Sequence, residues 1–297
     1  MTATPMQSSQ CRLDLIRIEA EDKTALNGLI WEPTQRASDS MVILVPGGVS
    51  GAALFPAHDC TPMARALTER GYGFLLSNMR ASYNPPYARY DDAVKDIAAF
   101  VAYVKSKGYS RIAIFGISLG GPRTAQYVVE RNDPAVKAMG FIASIPSPYL
   151  EFQVRSSDAE KRRLEEKLQH ARDLVAAGKG NDPAPLEDWF PGGVAFMGTA
   201  KSTLSFFGAP SDPGTPSSIK YGPQIKIPAL VIHGDQDELS LPPNAQTIYD
   251  SLTASSQRDL VWVKGASHYL SPGPLAETFA KLVTEWTVRN MPAAARP

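Results

Sequence analysis

The sequence predicts an α/β protein: a mostly parallel sheet of eight strands with helices on both faces, interrupted once by a helical insertion. Three observations carry this expectation. Short apolar segments of β type alternate with segments of helical period, the order that produces right-handed crossovers and a parallel sheet. MVILV (residues 41–45) is apolar at every position, as a strand covered on both faces must be. Glycines and polar residues cluster just after several strands, where open α/β sheets carry their sites.

LDLIRIEA (13–20) and ALNGLIWEP (25–33) read as two strands joined by a short turn, antiparallel to each other. MVILV follows as a central strand. Residues 61–70 read as a helix ended by Gly71, and GFLLSN (73–78) as the next buried strand. From 91 to 107, Val94, Ile97, Ala98, Val101 and Val104 recur at helical spacing. RIAIF (111–115) is a strand, followed by a sharp turn and a helix to about Arg131. AVKAMGFIASI (135–145) is a further buried strand.

The rhythm then stops. Residues 147–224 hold no clear core strand and are assigned to an insertion; 1–146 and 225–297 are assigned to the core. A charged helix spans about 158–177, with Leu164, Leu168, Ala171 and Val175 on one stripe. A Gly/Pro-rich stretch with Trp189, Phe190, Phe196, Met197, Leu204, Phe206 and Phe207 follows. A long irregular stretch in a compact domain is usually a lid or binding insertion, and this aromatic content is too high for disorder. Alternation resumes with the strand IPALVIHG (227–234), a helix near 243–252, the strand DLVWV (259–263) and a last helix near 274–290.

The composition excludes several function classes. The 297 residues are 43% hydrophobic and 20% charged, with zero formal net charge. A neutral chain lacks the excess of Lys and Arg on which nucleic-acid affinity rests. No run approaches the roughly 18 apolar residues of a membrane span. MTATPMQSSQ has no basic segment followed by an apolar core, so no secretory signal is expected and the protein is read as cytoplasmic. Cys11 and Cys60 lie far apart and are expected to be reduced thiols. No HExxH, Gly-Lys-Ser/Thr or GxGxxG spacing is present, so no metal, phosphate-loop or dinucleotide cofactor is expected. No feature reports the oligomeric state.

The chemistry gathers at strand ends. FGISLGG (115–121) sets Ser118 between Gly116 and Gly120, at the joint of a strand and a helix. Side chains two residues before and after the serine would crowd the approaching strand and helix. Pro122 falls in the first helical turn, where its missing N–H costs little. A packing or helix-capping serine is the plain alternative. Of the four histidines, His268 lies in the loop after the last strand, His170 on a charged helix and His233 inside a strand end. His58 lies near the PGG loop that follows Val45. Asp235 and Asp237 both follow Ile232, and the residues alone do not separate them.

Gly116-Ile117-Ser118-Leu119-Gly120 in its strand–turn–helix context resembles the nucleophile elbow of the α/β-hydrolase family. The order serine, acid, histidine agrees, and the likeness covers about 12–146 and 225–290. The resemblance implies a cofactor-free Ser-His-Asp hydrolase. Ser118 is then the nucleophile, His268 the base and Asp237 the acid, with Asp235 left to organise its turn. It implies an oxyanion hole made by the backbone N–H groups of Leu119 and Gly48, with Val49 as the alternative to Gly48. The family often opens that loop with His-Gly; here it is Pro46-Gly47. The insertion corresponds to the family's cap, and its apolar residues imply an apolar small-molecule ester, lactone or thioester as substrate. Carbon–carbon bond hydrolysis or acyl transfer on the same triad, and a catalytically silent binding relative, remain alternatives.

Overall fold

The computed structural model describes residues 11–34, 38–48, 60–82, 86–190, 194–212, 214–215, 217–270 and 275–293. The chain enters through β1 (Cys11–Glu19) and β2 (Ala25–Pro33), then β3 (Ser40–Val45), α1 (Thr61–Thr68), β4 (Gly73–Asn78), α2 (Ala93–Ser106), β5 (Arg111–Ile117), α3 (Gly120–Arg131) and β6 (Val136–Ile142). Between β6 and the next strand of the main sheet come α4 (Pro148–Arg155), α5 (Asp158–Ala176), β7 (Leu186–Phe190), β8 (Val194–Phe196), α6 (Ala200–Phe207) and α7 (Ser218–Tyr221). The core resumes with β9 (Ala229–Gly234), α8 (Pro243–Ser251), β10 (Arg258–Val263) and α9 (Leu275–Asn290).

The main sheet has eight strands in the order β1-β2-β4-β3-β5-β6-β9-β10. β1 pairs antiparallel with β2, and β2 antiparallel with β4; every later pair is parallel. The period-2 alternation of strand side chains divides the central apolar runs between two layers. Val42 and Leu44 of β3 join Ala113, Phe115 and Ile117 of β5 beneath α9, with Phe279, Val283 and Trp286. Met41, Ile43 and Val45 join Ile112 and Ile114 beneath α2, with Ile97, Phe100, Val101 and Val104. Each such side chain taken fully out of water contributes about 1.5–3 kcal/mol. That explains why the central strands are apolar throughout, whereas β10, on the sheet edge, leaves Trp262 44% exposed.

Between residues 147 and 224 the structure differs from the sequence reading: besides α5, the helices α4, α6 and α7 form where no helix is expected. Nor is this segment wholly helical: β7 and β8 form a separate two-stranded antiparallel pair in the stretch read as irregular. Such short strands are hard to see from periodicity, because three to five residues hold too few repeats. In α5, Leu164, Leu168 and Ala171 are buried, but Val175 is 37% exposed. α5 packs on α6, which has eight residues against its nineteen and so covers only part of its length. Ser157 and Glu160 form a reciprocal capping box at the start of α5, satisfying two N–H groups that the first turn leaves over. α7 packs on α3, where Tyr221 donates its hydroxyl to Glu130 at 2.8 Å.

Among the described residues no helix is long and apolar enough to cross a membrane. No disulfide joins Cys11 and Cys60.

Candidate active site

Ser118 sits immediately after β5 with φ +51°, in the left-handed region that a residue with a Cβ rarely enters. Such a conformation costs on the order of 1–3 kcal/mol and persists only where its surroundings over-determine it. Three hydrogen bonds do so. The Ser118 N–H donates to the Ile142 carbonyl at 2.8 Å. The Ser118 carbonyl accepts from the Gly121 N–H at 3.1 Å and from Ser144 Oγ at 2.9 Å. The flanking glycines are steric requirements: a Cβ on Gly116 would overlap the Gly120 carbonyl, and one on Gly120 the Val45 carbonyl. Ser118 is not the helix cap: Leu119 is the N-cap of α3, and that position makes no side-chain capping bond.

The loop after β3 meets this turn. A Cβ on Gly47 would lie 2.6 Å from Ser118 Cβ, so only glycine lets the loop come this close. Gly48 follows with φ +68°. Val49 and His58 lie outside the described residues.

Asp237 and His268 meet across the ends of β9 and β10. His268 Nδ1 is 2.9 Å from Asp237 Oδ2 and 3.1 Å from Oδ1. Asp237 Oδ1 also accepts the N–H groups of Leu239 at 2.9 Å and Ser240 at 2.7 Å. In these contacts the carboxylate oxygens accept. The proton therefore sits on His268 Nδ1, and Nε2 carries the lone pair a base needs. Asp235 is not on the histidine: its Oδ1 accepts the Gly265 N–H at 2.7 Å and ties the two loops together. His170 is exposed on α5.

Several contributors were not singled out in the sequence. Ser144 and Ser240 link the two halves of the site: Ser144 Oγ holds the Ser118 carbonyl, and Ser240 Oγ donates to the Ser144 carbonyl at 2.9 Å. Glu151 and Arg155 of α4 reach the acid loop, where Arg155 donates to the Leu239 carbonyl at 2.6 Å and Asn244 bonds Glu151. Isolated serines and a helical Glu-Arg pair carry no spacing signal, so nothing in the sequence marks them. Tyr90 lies in the segment that joins β4 to α2. It is fully buried, stacks on Phe206 at 4.9 Å and donates its hydroxyl to the Leu119 carbonyl. Tyr87 of the same segment is 61% exposed. Among the described residues no three His, Cys, Asp or Glu side chains are grouped to hold a metal ion.

His233 is a second imidazole on the same carboxylate. It is fully buried, with Nε2 2.8 Å from the Ser240 carbonyl and 3.3 Å from Asp237 Oδ2. The carbonyl can only accept, so Nε2 carries the proton of a neutral ring. Burial pushes the His233 pKa down, against the opposing pull of the Ser240 carbonyl and Asp237. The unfolded chain takes up this proton near pH 6.5, the folded protein only at lower pH. Between those values the unfolded state binds more protons, so stability falls as pH drops below about 6.5, by up to about 1.4 kcal/mol per pH unit. Urea unfolding at pH 7.5 and 5.5 checks this: His233→Gln is expected to lose less stability over that interval than the native protein. An equal loss in both would refute the assignment.

No family model and no curated protein matches the chain. Solved structures do. The esterase domain of a Rhodothermus marinus protein is 17% identical over 94% of this chain and 99% of that one, with a TM-score of 0.62. The esterase PF2001 of Pyrococcus furiosus is 19% identical over 95% and 92%, with a TM-score of 0.64. Est1E of Butyrivibrio proteoclasticus is 18% identical over 93% and 98%, with a TM-score of 0.64. Likeness at this identity over nearly the whole chain is likeness of fold. Together with the strand order and the turn at Ser118, it establishes that this chain has the α/β-hydrolase fold.

Proposed function

We propose that the protein is a serine hydrolase that cleaves a carboxylic ester of an apolar small molecule through an acyl-enzyme, with Ser118, His268 and Asp237 as its triad. The observation that carries this reading is that one chain holds both a serine at φ +51° on the elbow after β5 and a histidine whose Nδ1 is bound by a buried carboxylate. Neither arrangement is needed for packing, and the first is strained. The esterases among the structural neighbours agree with the reading.

In this mechanism Ser118 Oγ attacks the acyl carbonyl and His268 Nε2 takes its proton. Asp237 keeps the imidazole in the required tautomer and stabilises the imidazolium. The Leu119 N–H, at the positive end of α3, and the Gly48 N–H receive the oxyanion. His268 returns the proton to the leaving alcohol and then activates water against the acyl-enzyme. No cofactor takes part. The insertion 147–224 acts as the cap. Phe196, Phe206 and Phe207 are consumed in packing it over Leu119. Tyr269, edge-on to His268 at 5.7 Å and 39% exposed, presents an apolar face beside the base.

A series of p-nitrophenyl esters of rising acyl length tests the reaction, and an alkyl fluorophosphonate with mass-spectrometric mapping tests the nucleophile. Turnover with an adduct on Ser118 is expected. An adduct on another residue, or folded protein that neither turns over any ester nor takes up the probe, would sink the proposal.

A further inference from the structure

Arg123 is 2% exposed, and among the described residues no carboxylate forms an ion pair with it. A guanidinium taken from water without a counter-charge costs several kcal/mol, and burial pushes its pKa down. What it touches is specific. Nη1 donates to the Pro46 carbonyl at 3.1 Å and Nη2 to the Gly48 carbonyl at 2.9 Å. Its Cζ lies over the Tyr90 ring, 4.6 Å from the centroid, and 5.9 Å from that of Phe206. Aromatic faces partly replace the lost hydration of a cation.

The loop it grips needs an outside clamp. Pro46-Gly47-Gly48 has no polar side chain of its own, two of its three residues are glycine, and Gly47 must stay against Ser118. Arg123 lies four residues after Leu119, so the two share one face of the helix turn. Tyr90, which stacks on the guanidinium, also bonds the Leu119 carbonyl. One buried cluster thus grips the backbone on both sides of the serine. We infer that Arg123 is a positioning residue of the oxyanion hole: its planar fork fixes the loop that carries the second donor against the one supplied by Leu119. A lysine cannot do the same, because its point charge reaches one carbonyl well but not two in a plane.

This inference rests on the reaction proposed above, and the experiment separates the two. In Arg123→Met, kcat on a p-nitrophenyl ester is expected to fall about 10²–10³-fold, the effect of losing one oxyanion donor, with KM within about threefold of native. A trifluoromethyl ketone, which binds as a tetrahedral oxyanion, is expected to weaken by a similar factor. Arg123→Lys, which keeps the charge and most of the stem, is expected to recover only part of kcat, and serves alone if the methionine variant does not fold. A purely structural role would lower Tm while leaving native kcat per phosphonate-titrated site and native ketone affinity; either variant behaving so overturns the inference. Native protein that fails to hydrolyse esters or to label at Ser118 would instead overturn the reaction itself.

Discussion

Ser118→Ala is expected to lower kcat on a p-nitrophenyl ester by about 10⁶, leaving only the residual rate that oxyanion donors and binding supply without a nucleophile. The size follows from the unit character of the triad: without Oγ, His268 and Asp237 have no covalent step to assist. Folding should survive, since the hydroxyl lies on a turn held by backbone bonds to Ile142 and Gly121 and by Ser144. The strained φ stays with the backbone, so the alanine keeps the same conformation. Steady-state kinetics beside circular dichroism and thermal melting decide the matter. A folded variant that keeps native turnover would remove Ser118 from the chemistry.

Asp237→Asn is expected to lower turnover by about 10⁴. The amide can donate where the carboxylate only accepts, so it favours the tautomer with the proton on His268 Nε2, which cannot take one from Ser118. It also puts an NH₂ near the Leu239 and Ser240 N–H groups or the His268 ring. Asp235→Asn is the internal control. Its carboxylate accepts from the Gly265 N–H, 30 positions along the chain, and an amide oxygen can accept the same bond. Turnover close to native is expected there, with a small loss of stability, of order 1 kcal/mol. A large loss of turnover in Asp235→Asn beside a small one in Asp237→Asn would exchange the two roles.

The strands of the main sheet, the helices between them and the elbow could be read from the chain because each is a local pattern, whereas α4, α6 and α7 were not. Apolar runs such as MVILV must be covered on both faces, α2 shows its stripe at helical spacing, and glycines two positions either side of Ser118 answer a local steric demand. Boundaries shifted by one to three residues, most at β6, which ends at Ile142 rather than Ile145. The β7–β8 pair went unread because its strands are too short to show a period. The choice between Asp235 and Asp237 could not be made from the residues alone. Both stand in one loop, and only the approach of the 264–268 segment separates them: Gly265 takes Asp235 and His268 takes Asp237.

The sequence by itself therefore determined the fold class, the strand–turn–serine–helix unit and a short set of candidate groups, since local spacing and steric need encode all three. Tertiary structure alone decided which groups meet. Ser144 and Ser240 bridge the elbow to the loop of Asp237, His233 shares the carboxylate of His268, and Arg123 grips a loop through Gly48, 75 residues upstream of the arginine. These pairings join residues far apart in the chain, and no local period or propensity records them. They arise where the packed sheet brings the ends of its parallel strands to one edge.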